Sequence, residues 1–193
     1  MQQWVRTFVA IELGPGPRDR ARRLIERLRA SPAKVRWIDP QNLHLTLKFL
    51  GDVAANDIPQ VCSAVIRAAA RVEPFDVDLR GAGAFPDTQR PRTIWIGVGA
   101  GEERLVELHA AVEDELEELG YPRDARRFRG HLTLGRVKQA GRGLAELGRE
   151  LVGLSDYDAT QLNVDELVVF SSELSPDGPR YEPLAHAALG GPS

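Results

Sequence analysis

The tetrapeptide His-Leu-Thr-Leu occurs twice in this chain, at positions 44–47 and 131–134, and both copies constrain the fold in the same way. Apolar and polar side chains alternating with a period of two mark a strand with one buried face. In the first copy Leu43, Leu45, Leu47 and Phe49 fall on one face and His44, Thr46 and Lys48 on the other. In the second, Leu132 and Leu134 lie opposite His131, Thr133 and Gly135. Each strand therefore holds an imidazole and a hydroxyl in line, roughly 7 Å apart. Two of the four histidines sit in these copies, 87 positions from one another (131 − 44).

Around the first copy the pattern predicts a strand from Trp4 to Leu13, stopped by Gly14-Pro15-Gly16-Pro17. A helix with Ala21, Leu24, Ile25 and Leu28 on one side follows. Lys34 to Ile38 reads as a short strand, Asp39-Pro40-Gln41 as a turn and Leu43 to Leu50 as the motif strand, so the two strands are expected to form a hairpin ended by Gly51-Asp52. A helix over about 56–72 carries Cys62 on its apolar stripe, a packing position. Strands at 74–79 and 93–98 are joined by a Gly-, Pro- and Arg-rich loop over 81–92, which reads as either a floppy connection or a cleft edge where Arg90 and Arg92 could meet a phosphate. Glu102 to Leu119 is the clearest helix, with His109 beside its buried stripe in a structural position. After the second copy come a short helix at 144–151 and strands at 157–162, 164–171 and 180–188, the last two turned by Ser175-Pro176-Asp177-Gly178. His186 has no threonine two positions on and reads as non-catalytic.

A chain of 193 residues suits one domain, or two small lobes sharing a cleft. No apolar run reaches membrane-span length, and Met1-Gln2-Gln3-Trp4 leads into a strand instead of a signal peptide, so we expect a cytoplasmic protein with no membrane partner. The single cysteine excludes an internal disulfide and a multi-cysteine zinc site. A net charge of −3 argues against gripping long nucleic acid by bulk electrostatics, which needs many phosphate contacts. Of two local basic clusters, Arg18, Arg20, Arg22 and Arg23 read as a solvated helix face. Arg123, Arg126, Arg127 and Arg129 stand just ahead of the second motif, which leaves a solvated face and a phosphate contact equally open.

The segment Val35 to Gly51 resembles the first HxTx motif of the two-histidine phosphoesterases, specifically the RNA 2′,3′-cyclic phosphodiesterases, also called 2′-5′ RNA ligases. Phe128-Arg129-Gly130-His131-Leu132-Thr133-Leu134-Gly135-Arg136 resembles their second motif, and Ser172 to Tyr181 their C-terminal hairpin. One departure is Gly130, where the family usually has proline. The resemblance implies an α+β fold in a single bilobal domain over residues 1–193. Its two pseudo-symmetric lobes would each be an antiparallel sheet with outer helices, facing a central cleft with one HxTx strand per lobe.

Opening a cyclic phosphodiester requires water to lose a proton as it attacks phosphorus and the leaving oxygen to gain one. Two imidazoles on opposite walls do both near neutral pH. The hydroxyls of Thr46 and Thr133 suit the non-bridging phosphate oxygens. The residues alone do not say which histidine is the acid. The resemblance implies His44 as proton donor toward the 3′ oxygen and His131 as proton acceptor from water, giving a 2′-phosphate. It also implies Arg136 at the phosphate, although strict alternation puts Arg136 on the Leu132 face, so that a bulge or Gly135 has to turn it. Neither motif carries an Asp or Glu beside its histidine, so no metal ligand set and no cofactor are expected. We expect a monomer acting on RNA ends, tRNA fragments among them, or on cyclic nucleotides. The competing reading is a non-catalytic binder of RNA ends that stacks bases on Trp4, Trp37 and Trp95.

Overall fold

The computed structural model describes residues 3–139, 141–175 and 178–191. In chain order its elements are β1 (Trp4–Glu12), α1 (Pro15–Leu28), β2 (Val35–Trp37), β3 (His44–Ala54), α2 (Ile58–Ala70), β4 (Phe75–Phe85), β5 (Thr93–Val98), α3 (Glu102–Glu117), β6 (His131–Val137), α4 (Leu144–Val152), β7 (Asp158–Val164), β8 (Glu166–Ser175) and β9 (Gly178–Ala188). Pro176 and Asp177, the centre of the expected final turn, lie outside the described residues, but Ser175 pairs with Gly178 across it. None of the described helices is long and apolar enough to cross a membrane.

The strands follow the order β7-β4-β5-β6-β3-β1-β8-β9, with β2 on β6 and every pairing antiparallel. They form two lobes, β9-β8-β1-β3 and β6-β5-β4-β7, and among the described residues one register pair, Leu45 with Leu132, joins them. Helices α2 and α3 pack on the first lobe, while α1 and α4 lie against β7 and β4 of the second. Thus α1, which follows a strand of one lobe, covers the other. The apolar stripes of all four helices and the Leu faces of both motif strands share one continuous buried core. A smaller cluster of Phe8, Ala10, Val168 and Phe170 is separate from it, with Tyr181 packed alongside.

Three expectations about local structure need correction. β2 does not pair with β3; Val35, Arg36 and Trp37 pair with Val137, Arg136 and Gly135 of β6. The intervening residues form a 3₁₀ turn at Pro40–Asn42, in which the Asp39 carboxylate accepts the Gln41 N–H at 2.9 Å. That turn carries β2 across to the second lobe. Gly51-Asp52 does not end the motif strand either. With φ of 74°, Gly51 takes a left-handed bulge conformation opposite Thr7, and β3 runs on to Ala54. Likewise Gly81 to Phe85 extend β4, which shortens the anticipated loop.

Bulges also re-aim side chains beside the motifs. On β3, Val9 faces Lys48 and Ala10 faces Thr46, so Leu47 is the extra residue. Leu47 and Lys48 are consequently both buried at 2% exposure, and Phe49 emerges on the opposite side at 61%. On β6, Trp95 faces Thr133 and Ile94 faces Gly135, so Leu134 is extra, Leu134 and Gly135 are buried, and Arg136 emerges. The simple alternation that assigned Lys48 to the histidine face and Phe49 to the core face is reversed by this extra residue.

The glycine at the second bulge is there for space. A Cβ at Gly135 would come within 2.8 Å of Trp37 Cε3 and 2.9 Å of Val35 Cγ1. Gly135→Val is therefore expected to lower stability by about 1–3 kcal/mol through overpacking of β2. Urea unfolding checks this, and an unchanged midpoint would mean that β2 is not seated there.

Candidate active site

The Leu45–Leu132 pair decides how the two motifs meet. Both leucines are fully buried, so His44, Thr46, His131 and Thr133 all project from the other side of the joined strands. His44 and Thr46 flank Leu45, and His131 and Thr133 flank Leu132, so the four polar side chains surround the one paired position on that face. The two histidines then lie on a diagonal, with Cα atoms roughly 8 Å apart for strands that stay adjacent. Two imidazoles extended from such positions can reach the same small group from opposite sides.

Both rings are held by the same device. His44 Nδ1 lies 2.8 Å from Asn42 O, and His131 Nδ1 lies 2.8 Å from Arg129 O, in each case the carbonyl two residues earlier. A carbonyl can only accept, so Nδ1 carries the proton in both. Nε2 is left to present a lone pair when the ring is neutral and an N–H when it is charged. Asn42 is itself fixed, since its Nδ2 donates to Pro179 O at 3.0 Å, linking the 3₁₀ turn to β9. Each histidine also meets an aromatic ring edge-on: His44 with Tyr181 (5.2 Å, 88°) and His131 with Phe85 (5.1 Å, 89°).

The surroundings of the two rings otherwise differ. His44 is flanked by Phe8 at 4.9 Å and Phe170 at 6.4 Å, and burial pulls its pKa down despite the bond to Asn42 O. Its folded-state pKa thus lies below the ordinary 6.5 of an unfolded chain. The stability that the neutral ring contributes is present above pH 6.5 and is lost as pH falls through the lower folded-state value. Thermal unfolding between pH 8 and 5 is expected to show a falling midpoint with a smaller slope in His44→Gln. His109, also depressed by burial, should leave part of the slope in that variant. Equal slopes would show that the His44 ring is not desolvated.

Arg136 joins the histidine face. Burial pushes the Tyr181 hydroxyl up, and the charges of Arg136, Arg36 and Arg6 pull it part of the way back. Arg36 sits directly opposite Arg136 in the β2–β6 register. Beside His131, Arg129 lies over the Phe85 ring at 5.9 Å. A cavity of about 290 Å³ opens there, lined by Arg80, Phe85, Trp95, Glu102, Arg129 and His131 among others. A larger one of about 390 Å³, near Glu12, Gln161 and Asn163, includes none of the motif residues.

Residues 11–95 and 96–181 each match the family model described as LigT like Phosphoesterase, one motif copy in each span. A Methanothermobacter thermautotrophicus protein named RNA 2′,3′-cyclic phosphodiesterase is 36% identical over 178 residues, covering 92% of this chain and 95% of its own. The chain belongs to the LigT-like phosphoesterase family. Its fold is that of solved relatives. A crystal structure from Thermus thermophilus aligns with a TM-score of 0.81 at 28% identity, covering 96% of this chain and 98% of that one. Escherichia coli LigT complexed with 3′-AMP aligns at 0.77 and 26%, covering 97% and 99%.

Other sequence candidates take structural places in this LigT-like phosphoesterase. Arg22 and Arg23 pair with Asp19 and Glu26 along α1, a solvated helix face as read. Arg123 is tied to Asp114 and Glu117, so of its basic cluster it is Arg129 that reaches the aromatic ring beside His131. Arg90 lies 3.8 Å from Asp87 in its loop, at 85% exposure. His186 faces Glu166 on the outer hairpin, and Cys62 packs against the core with its thiol pushed up by burial. Phe8, Asn42, Phe49, Phe85, Arg6 and Arg36 were not picked out from the sequence as site residues. For Phe49 a signal existed: it stands five residues after His44, as Arg136 stands five after His131.

Proposed function

We propose that this LigT-like phosphoesterase hydrolyses RNA 2′,3′-cyclic phosphate ends to 2′-phosphates without a metal or cofactor. The observation that carries the reading is the pair of histidines on one face of the joined motif strands, each with Nδ1 bound to a carbonyl and Nε2 free for chemistry. The name of the Methanothermobacter relative supports the substrate class. Water attacks phosphorus while His131 Nε2 takes its proton. The bond from phosphorus to the 3′ oxygen breaks, and His44 Nε2–H gives that oxygen a proton. Burial favours the neutral form of His44, and a phosphoryl anion beside the ring favours the protonated form that donates. Thr46 and Thr133 donate to the non-bridging oxygens, and Arg136 balances their charge. The aromatic walls of the cavity beside His131 offer a face for a nucleobase. A 5′ hydroxyl in place of water would give a 2′-5′ linkage by the same proton transfers.

Among the described residues, the potential metal-ligand group is His109, Glu113 and Asp124, and it includes neither motif histidine. Activity is accordingly expected to persist in excess chelator. The test of function is incubation with an oligonucleotide ending in 2′,3′-cyclic phosphate, in chelator, followed by product identification. A 2′-phosphate supports the hydrolase. Tight binding without conversion supports the end binder, and activity regained only with added divalent ion supports a metal enzyme. We place the enzyme in the cytoplasm as a monomeric, single bilobal domain acting on RNA ends, tRNA fragments included.

A further inference from the structure

Behind the first motif strand, on the core side of the bulge, a lysine and a glutamate are buried together. The side chains of Lys48 and Glu113 are 2% and 3% exposed, and Nζ donates to Glu113 Oε1 at 2.6 Å. The same ammonium donates to Pro122 O at 2.8 Å, and the other glutamate oxygen accepts the Asp124 N–H at 3.1 Å. His109, one turn before Glu113 on α3, stacks on Phe128 with ring centroids 4.3 Å apart. Its Nε2 is 3.5 Å from Glu113 Oε1 but makes no hydrogen bond among the described residues. The ammonium already occupies the carboxylate that a cation bound to His109, Glu113 and Asp124 would need.

Stability does not account for such a pair, because a well-packed apolar pair of the same volume is often as stable or more so. Direction does. The bonds to Pro122 O and Asp124 N fasten the start of the segment that runs to Arg129, and the Arg129 carbonyl holds His131 Nδ1–H. Phe128, stacked on His109, pins the same segment near its end. With β3 and β6 sharing one register pair, this clamp is a second tie between the first motif strand and the approach to the second.

We propose that Lys48 and Glu113 are positioning residues, which clamp the segment over 121–130 to the back of the first motif strand and so fix the tautomer and aim of His131 relative to His44. The inference rests on the catalytic role given to His131 above. Lys48→Met strands a buried carboxylate and should lower the thermal midpoint, whereas Lys48→Met/Glu113→Leu removes both charges and should regain most of that loss, short of what the unpaired Pro122 carbonyl and Asp124 N–H cost. Both variants are nevertheless expected to lose about 10- to 100-fold in kcat through misplacement of the base, with KM within about twofold. In nitrogen-15 spectra His131 should become a mixture of tautomers while His44 stays protonated at Nδ1.

A double variant with wild-type stability, kcat and His131 tautomer would overturn the proposal and leave the pair a packing detail. Should that variant fail to fold, Glu113→Gln decides. Its amide can accept from Lys48 but then turns an NH₂ toward the Asp124 N–H, and a His131 tautomer that does not change would again overturn it. If wild-type protein turns over no cyclic phosphate, the functional reading fails, and the tautomer spectra still decide the clamp.

Discussion

Replacing His131 with alanine is expected to lower turnover of a 2′,3′-cyclic phosphate end by about 10²- to 10⁴-fold, the usual contribution of one positioned proton transfer. His44→Ala should cost a similar factor. Neither ring belongs to the continuous apolar core, and each sits on the face opposite the buried leucines. Both variants should therefore fold. The two effects should not multiply, because the acid and the base act in one concerted displacement and either loss already removes most of it. Rates for both single variants and the double variant check this. Near wild-type turnover by either single variant refutes the proposed acid–base pair.

The next largest effect is expected from Thr133→Val and Thr46→Val. Valine keeps the β-branched shape that suits a strand and removes only the hydroxyl. Where a donor is aimed at charge that grows in the transition state, its loss costs about 10²- to 10³-fold in kcat. Both threonines project from the same face as the two histidines, one from each strand beside the Leu45–Leu132 pair. A fall in kcat with KM nearly constant is the expected result. A rise in KM alone would mean that the hydroxyls bind substrate without favouring the transition state.

The histidine and threonine positions were legible in the sequence because a period of two is unbroken from residue 43 to 47 and from 131 to 134. The helices and the packing places of Cys62 and His109 were legible from the 3.6-residue period of the apolar stripes on α2 and α3. What failed lies just past each motif. A bulge is specified by the partner strand's register, not by the strand's own letters, so Lys48 and Phe49 came out on the wrong faces. Arg136 needed the same irregularity and received it. The pairing of β2 with β6 was hidden because Asp39-Pro40-Gln41 reads as a hairpin turn, whereas its 3₁₀ geometry carries the chain between lobes. The buried Lys48–Glu113 pair joins residues 65 positions apart, and no local pattern announces it.

The central claim is that the two Nε2 atoms address one phosphoryl group. It is tested most directly by titrating histidine-labelled protein with a nucleoside 2′-monophosphate and following the nitrogen-15 signals. The account predicts that Nε2 of His44 and Nε2 of His131 shift together, saturating at one ligand per chain, while both Nδ1 atoms stay protonated. Shifts confined to one ring, or two rings responding with different affinities, would contradict it.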